Sequence, residues 1–162
     1  MYPTIVLENF FDEPNNLVEL SKTYEYFEPQ HLKDWWPGER TNEIMDINLK
    51  NLVFTKVLNL YFKKWVSYKG TMFFHRTSKN THKGYGSTDH IHNDTDVIIA
   101  GLIYLNNNSS STAIYDEHKR KKMIVNNNFN TMVTYDAKQN HGPILTEEER
   151  ITIPFFVHDV KI

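Results

Sequence analysis

From residue 71 onward the chain is a succession of short β-type runs: Thr71–His75, Val97–Leu105, Thr112–Tyr115, Lys122–Val125, Thr131–Tyr135 and Ile151–Val157. Clusters of Asn, Ser, Gly and Asp separate them, as turns separate strands. Residues 1–70 read differently. Thr4–Leu7 is a short first strand. Asp12 is placed to cap a helix with Pro14 in its first turn and Leu17, Leu20 and Tyr24 at helical spacing. Asp46–Trp65 predicts a second helix with Leu49, Val53, Val57, Leu60 and Tyr61 on one face. Between them, Glu28–Thr41 breaks the period and reads as an ordered loop. Helices first and short strands after predict a mostly β, α+β domain: a sandwich or jelly roll with N-terminal helices packed on one sheet. The chain of 162 residues is long enough for one domain with a real core and too short for two ordinary ones. The expectation is a single domain over 1–162, with 1–70 as helical support and 71–162 as jelly-roll core.

Bulk chemistry removes several function classes. Net charge is −2, so no general field draws the chain to nucleic acid or anionic lipid. Lys119–Lys122 is basic but reads as a solvated hairpin tip, too little for a nucleic-acid groove. Cysteine is absent, which excludes disulfides and thiolate metal sites. The start, MYPTIVLENFF, lacks the basic and apolar regions of a signal peptide, and no apolar run reaches the length of a membrane span. A cytoplasmic location is expected. Oligomeric state is not legible.

His90-Ile-His-Asn-Asp94 carries the chemistry. Residues two apart on an extended chain share a face, so His90, His92 and Asp94 point one way. Two histidines and one carboxylate suit a mononuclear non-heme Fe(II) centre with open positions. His92-Asn93-Asp94 is the one His-x-acid sequence in the chain, so a third ligand must come from elsewhere. The candidates are His31, His75, His82, His118, His141 and His158. His141 stands out, because it follows the run Met132–Tyr135 at a strand end or turn before Gly142-Pro143. Nine residues on, Arg150, one of only four arginines, opens another strand.

HND at 92–94, GLIYLN at 101–106, MVTYDAKQNH at 132–141 and RITIPFFV at 150–157 together resemble the iron- and 2-oxoglutarate-dependent oxygenases, on the prolyl-hydroxylase-like side. VLENFF and the WWPGERT loop more loosely resemble small oxygenases of phages and marine bacteria. The resemblance implies a double-stranded β-helix, Fe(II), 2-oxoglutarate and O2, and a hydroxylase activity. It implies that His92, Asp94 and His141 hold the iron and that Arg150 pairs with the distal carboxylate of 2-oxoglutarate. It also implies that Thr152 sets a hydroxyl beside that arginine and that Tyr104 reaches the same carboxylate. Relatives often carry Gly-Gly-Thr or Ser-Gly-Thr where this chain has Ser110-Ser111-Thr112, a departure that touches a hairpin and substrate contacts.

Alternatives stay open on residues alone. His90, His92 and His141 form a three-histidine set suited to zinc, and a non-catalytic, cupin-like metal-binding jelly roll needs no dicarboxylate clamp. Asp94 with Asp96 offers too few oxygens for a hard cation. Trp35-Trp36-Pro37-Gly38-Glu39-Arg40 is either a cover over the core or a substrate wall with Arg40 meeting an acid. Trp36, Arg40, Tyr85 and His90 are therefore the candidate substrate residues, Tyr85 from a glycine-flanked loop at the entrance. The expected substrate is a peptidyl or free amino acid or another small metabolite.

Overall fold

Alternation along the first part of one long strand, residues 150–157, organises the molecule. In the computed structural model, which describes residues 1–29, 36–82 and 90–162, the last strand, β10 (Arg150–Lys161), pairs with β3 (Ser67–Met72), β4 (His75–Thr77) and β5 (Ile99–Tyr104). Ile153, Phe155 and Val157 on β10 point to one side and join Ile99, Ile103 and Met132 in a buried core. Their neighbours Arg150, Thr152, Pro154 and Phe156 point to the other side and line a cavity. A period of two thus separates a dry face from a polar one.

The remaining strands are β1 (Ile5–Leu7), β2 (Glu39–Arg40), β6 (Ser111–Tyr115), β7 (Lys121–Asn126), β8 (Met132–Asp136) and β9 (His141–Ile144). They complete a seven-stranded sheet, β1-β8-β5-β10-β4-β2 with β3 also on β10, and a three-stranded sheet, β7-β6-β9. Pairing is antiparallel throughout the described ladders. Ala100, Tyr104, Val133 and Tyr135 of the large sheet pack with Ile114 and Val125 of the small one, which closes a jelly roll around a second core.

Helices α1 (Pro14–Ser21) and α2 (Ile47–Tyr61) cover the dry face. α2 starts where Asp46 accepts the Leu49 amide at 2.9 Å, a cap that stabilises by about 1 kcal/mol. Its Val53, Phe54, Val57 and Leu58 are buried, and the Tyr61 hydroxyl meets Thr134 of β8 at 3.2 Å. α2 lies so close to β3 that a Cβ on Gly70 would stand 2.6 Å from the Phe54 ring. No described helix is long and apolar enough to cross a membrane.

Several expectations change. Glu13, not Asp12, is the N-cap of α1, without a side-chain cap bond. α2 stops at Tyr61 rather than Trp65, and Leu60 is exposed while Phe54 and Leu58 fill the core. Thr71–His75 is not one strand, because the chain breaks between β3 and β4 at Phe73-Phe74. The first 70 residues supply β1, β2 and most of β3 as well as helices. His141 opens β9, a strand absent from the sequence reading, because Gly142-Pro143 does not end pairing there. The Lys119–Lys122 tip is exposed, with Asp116 accepting from Arg120 Nε at 2.8 Å.

Phe54→Ala removes a fully buried ring between α2 and the sheet. A loss of about 3–5 kcal/mol is expected, read as a lower urea midpoint with unchanged slope. Leu60→Ala on the exposed side should stay within about 0.5 kcal/mol of the parent.

Candidate functional site

The stretch around His92 is not a strand but is zipped to the β8–β9 turn. His92 and His141 exchange backbone hydrogen bonds of 3.0 and 2.9 Å, and the Asp94 amide donates to the Ala137 carbonyl at 2.8 Å. Gly142 permits this approach, since a Cβ there would overlap the His90 carbonyl oxygen. His92 Nδ1 lies 3.1 Å from the His90 carbonyl and His141 Nδ1 2.8 Å from that of Gln139. A carbonyl only accepts, so both Nδ1 atoms carry the hydrogen and both Nε2 lone pairs face the other way. They face Asp94: His141 Nε2 is 3.4 Å from Oδ2 and His92 Nε2 is 4.0 Å from Oδ1. One donor atom from each of the three residues lies within 4.8 Å of the others. Asp94 Oδ2 is buried without a hydrogen bond. Lone pairs facing a carboxylate are reconciled by a proton or a cation, so these residues fit a metal ion.

The electrostatics disfavour charge on His92 and favour it on Asp94. Burial, and then the neighbouring His141, hold His92 below the usual imidazole value. Burial pushes the Asp94 carboxyl up, but His141, His92 and Arg40 together bring it below its ordinary value.

Arg150 is buried in the same cavity. Its Nη2 donates to Thr112 Oγ1 at 2.8 Å and its Nη1 to the Ser111 carbonyl at 3.3 Å, while its buried Nε has no partner. Thr152 lines the cavity beside it. Tyr104 is not among the described lining residues; its hydroxyl donates to Thr112 Oγ1 at 2.7 Å, and its ring lies 5.5 Å from the Arg150 guanidinium. Thr112 therefore accepts from both Arg150 and Tyr104, which leaves its own proton to donate. Tyr135 also faces the cavity, its ring 4.4 Å from that of His141. Burial and the Asp94 charge push the Tyr135 phenol far up, so it stays a neutral donor. Neither Tyr135 nor Thr112 is singled out from sequence. Alternation along β8 was the available signal for Tyr135, since Val133, Tyr135 and Ala137 share the inner core.

One lateral row crosses four strands: Arg40 is opposite His75, His75 opposite Thr152, and Thr152 opposite Tyr104. Side chains opposite one another share a face. His75, a candidate ligand by residue type, is not in the His-Asp-His cluster; its Nε2 donates to the Pro37 carbonyl. Burial and the Arg40 charge hold it at about 3. Arg40 and Trp36 line the cavity, and His90 stacks on His92 at 4.5 Å. Tyr85, Trp35 and His31 lie outside the described residues. The cavity encloses about 180 Å³.

No protein-family model and no curated protein matches this chain. Solved structures do. An oxidoreductase of the 2OG-Fe(II) oxygenase family from Burkholderia pseudomallei superposes with a TM-score of 0.71 at 14% identity, over 96% of this chain and 84% of that one. A Pseudomonas putida prolyl-4-hydroxylase gives 0.67 at 10% identity, over 98% and 93%. The fold is that of the 2OG-Fe(II) oxygenases. A Trichoplax adhaerens prolyl hydroxylase, solved with a hypoxia-inducible-factor peptide fragment, shares it at a TM-score of 0.68 and 12% identity, over 96% of this chain and 83% of that one.

In this version of the oxygenase fold, His75 links pH to stability. Its value of about 3 lies below the unfolded value of about 6.5, so between these the unfolded chain binds the extra proton. Stability should fall as pH drops through that window. His75→Asn should remove about 2 kcal/mol of the decline between pH 6.5 and 5, measured by urea unfolding at both values.

Proposed function

We propose that the chain is an Fe(II)/2-oxoglutarate-dependent oxygenase, a hydroxylase of a peptidyl or free amino acid or another small metabolite, working as one domain over residues 1–162. The observation that carries this reading is the convergence, in one cavity, of the His92-Asp94-His141 cluster and a buried arginine with an unused N–H. A metal-binding protein without a cosubstrate has no need of Arg150 at that depth. Burying an unpaired guanidinium is costly, and a dicarboxylate repays it through charge-assisted hydrogen bonds.

His92 Nε2, His141 Nε2 and an Asp94 oxygen would hold the iron. When bound, iron with 2-oxoglutarate and O2 supplies the oxidising power that turns the cosubstrate into succinate and CO2 and hydroxylates a substrate C–H bond. The protein's own residues bind, orient and exclude water. The Gln139 and His90 carbonyls fix the two imidazole tautomers, as outer hydrogen bonds do around metal centres. Arg150 grips the distal carboxylate of the cosubstrate, with Thr152 and the free proton of Thr112 as further donors. Tyr104 acts one step back by holding Thr112. Tyr135, its ring against His141, stays protonated and is available as a donor toward the bound acid. Pro154 and Phe156 make the wall apolar and limit water.

His92→Ala, Asp94→Ala and His141→Ala should each abolish Mn(II) binding, with Mn(II) standing in for oxidisable Fe(II), while circular dichroism stays that of the parent. His90→Ala should keep the metal. If it loses Mn(II) as fully as His92→Ala, the ligand assignment is wrong.

Calorimetric titration of 2-oxoglutarate into Mn(II)-loaded protein tests the clamp. Arg150→Ala removes hydrogen bonds to a charged group, each contributing about 1.5–3 kcal/mol, so the dissociation constant should rise by about a hundred-fold or more. Arg150→Lys keeps the charge without the fork and should fall between Ala and parent. Normal binding to Arg150→Ala would leave a metal-binding jelly roll in place of an oxygenase.

A further inference from the structure

Arg40 sits on the opposite flank of the row from Tyr104 and has no role in the reading above. Its guanidinium is packed among aromatic faces, 4.7 Å from the Trp36 ring centroid, 5.1 Å from Phe73 and 5.8 Å from Phe156. Those rings hold the group's orientation and offer a favourable quadrupole, but they accept none of its N–H bonds in line. Arg40 Nε is buried with no hydrogen-bond partner, and so is the indole Nε1 of Trp36 beside it. Two adjacent buried donors without an acceptor are uncommon in a folded protein and ask for an explanation. Both residues line the cavity that holds the His-Asp-His cluster. The Pro37 carbonyl is occupied by His75, and Arg76 takes Glu39 on the other side of the strands at 2.5 Å. Asp94 is the single carboxylate among the described lining residues, and no hydrogen bond joins it to Arg40.

Charge points the same way. With a divalent metal and a doubly charged cosubstrate in place, the cavity holds two guanidiniums and the metal against Asp94 and the cosubstrate. One positive charge is left over in a site of low polarity, which favours one more anion. A carboxylate supplies a single negative charge, whereas a phosphate monoester carries nearly two.

We propose that Arg40 and Trp36 form a carboxylate-binding subsite, and that the substrate is a small organic acid or a chain-terminal residue held by its carboxylate, not a residue internal to a peptide. This rests on the oxygenase reading for the position of the cosubstrate. The planar fork of Arg40 donates to both carboxylate oxygens, or to one of them while the indole N–H donates to the other. The substrate is thereby anchored on the β2 side, with its C–H bonds toward the metal cluster.

The test uses full-length protein loaded with Mn(II) and saturated with 2-oxoglutarate, so that the probes cannot take the cosubstrate's place. Three panels are added: free L-amino acids, the same amino acids as C-terminal amides, and acetyl-capped dipeptides with a free C-terminus. Binding is read from paramagnetic relaxation of probe protons. Free acids or capped dipeptides should be relaxed and the amides should not. The first set reports a free acid as the source of the carboxylate, and the dipeptides report a chain terminus. Arg40→Met, similar in length and uncharged, should weaken acid binding by about ten- to a hundred-fold. Arg40→Lys should recover part of it. Trp36→Phe keeps the ring and drops the N–H, and should weaken acids several-fold while leaving the fold intact should Arg40→Met fail to fold. Equal binding of acids and amides, no acid bound at all, or full acid binding to Arg40→Met and Trp36→Phe would each overturn the subsite. If 2-oxoglutarate binding is lost in Arg40→Met and kept in Arg150→Ala, Arg40 is the cosubstrate's partner, which also overturns it. Failure of the parent protein to bind 2-oxoglutarate would instead sink the oxygenase reading itself.

Discussion

Everything in this molecule depends on keeping a set of polar groups dry inside a sheet that must also bury a hydrophobic face. β10 meets both demands at once. Its Ile153, Phe155 and Val157 join the helix-side core, and Arg150, Thr152, Pro154 and Phe156 face the cavity. The helices are therefore more than decoration on a finished barrel. Without α2 and its Phe54 against Gly70 and Phe155, the dry face would be open to water, and the register that aligns Arg40, His75, Thr152 and Tyr104 would lose its support.

The interior charge pattern follows from that register. Two guanidiniums stand on the polar face, each with a buried Nε that has no hydrogen-bond partner, and a neutral histidine lies opposite Arg40 in the row. A protonated imidazole at position 75 would add a third cation beside Arg40, and burial together with that arginine prevents it. Asp94 is the counterweight, its carboxyl held below the ordinary value with the Arg40 charge among the causes. The cavity thus presents two arginines alongside the His-Asp-His cluster among its lining residues.

What was legible in the sequence is what local spacing encodes. His92-x-Asp94 is visible because two residues on an extended backbone share a side, whereas the roles of Arg150 and Thr152 are visible only through the family resemblance. The jelly roll is visible in the punctuation of short strands. Lateral neighbours are not legible, since nothing in the chain states which residue of β2 lies opposite which residue of β4. Hence Arg40 and His75 carry no sequence signal of adjacency, and Thr112 is not recognisable as the junction between Tyr104 and Arg150. β9 is missed for a related reason: Gly142 and Pro143 look like a turn, yet pairing with β6 continues through them. Phe54 and Leu58 are missed because the apolar stripe of α2 is wider than the one face assigned to it.

The bridge between His92 and His141 joins two stretches far apart in the chain through a pair of backbone hydrogen bonds, at a point where Gly142 leaves no side chain to keep them separate. In mechanical terms it is a clasp with little material in it. An ion gripped from both sides would act as a cross-link, closing a long loop whose freedom the unfolded chain otherwise keeps. Occupancy of the cluster would then be felt as cohesion between the strand ends of both sheets, and the protein's resistance to unfolding would report how much metal its surroundings offer.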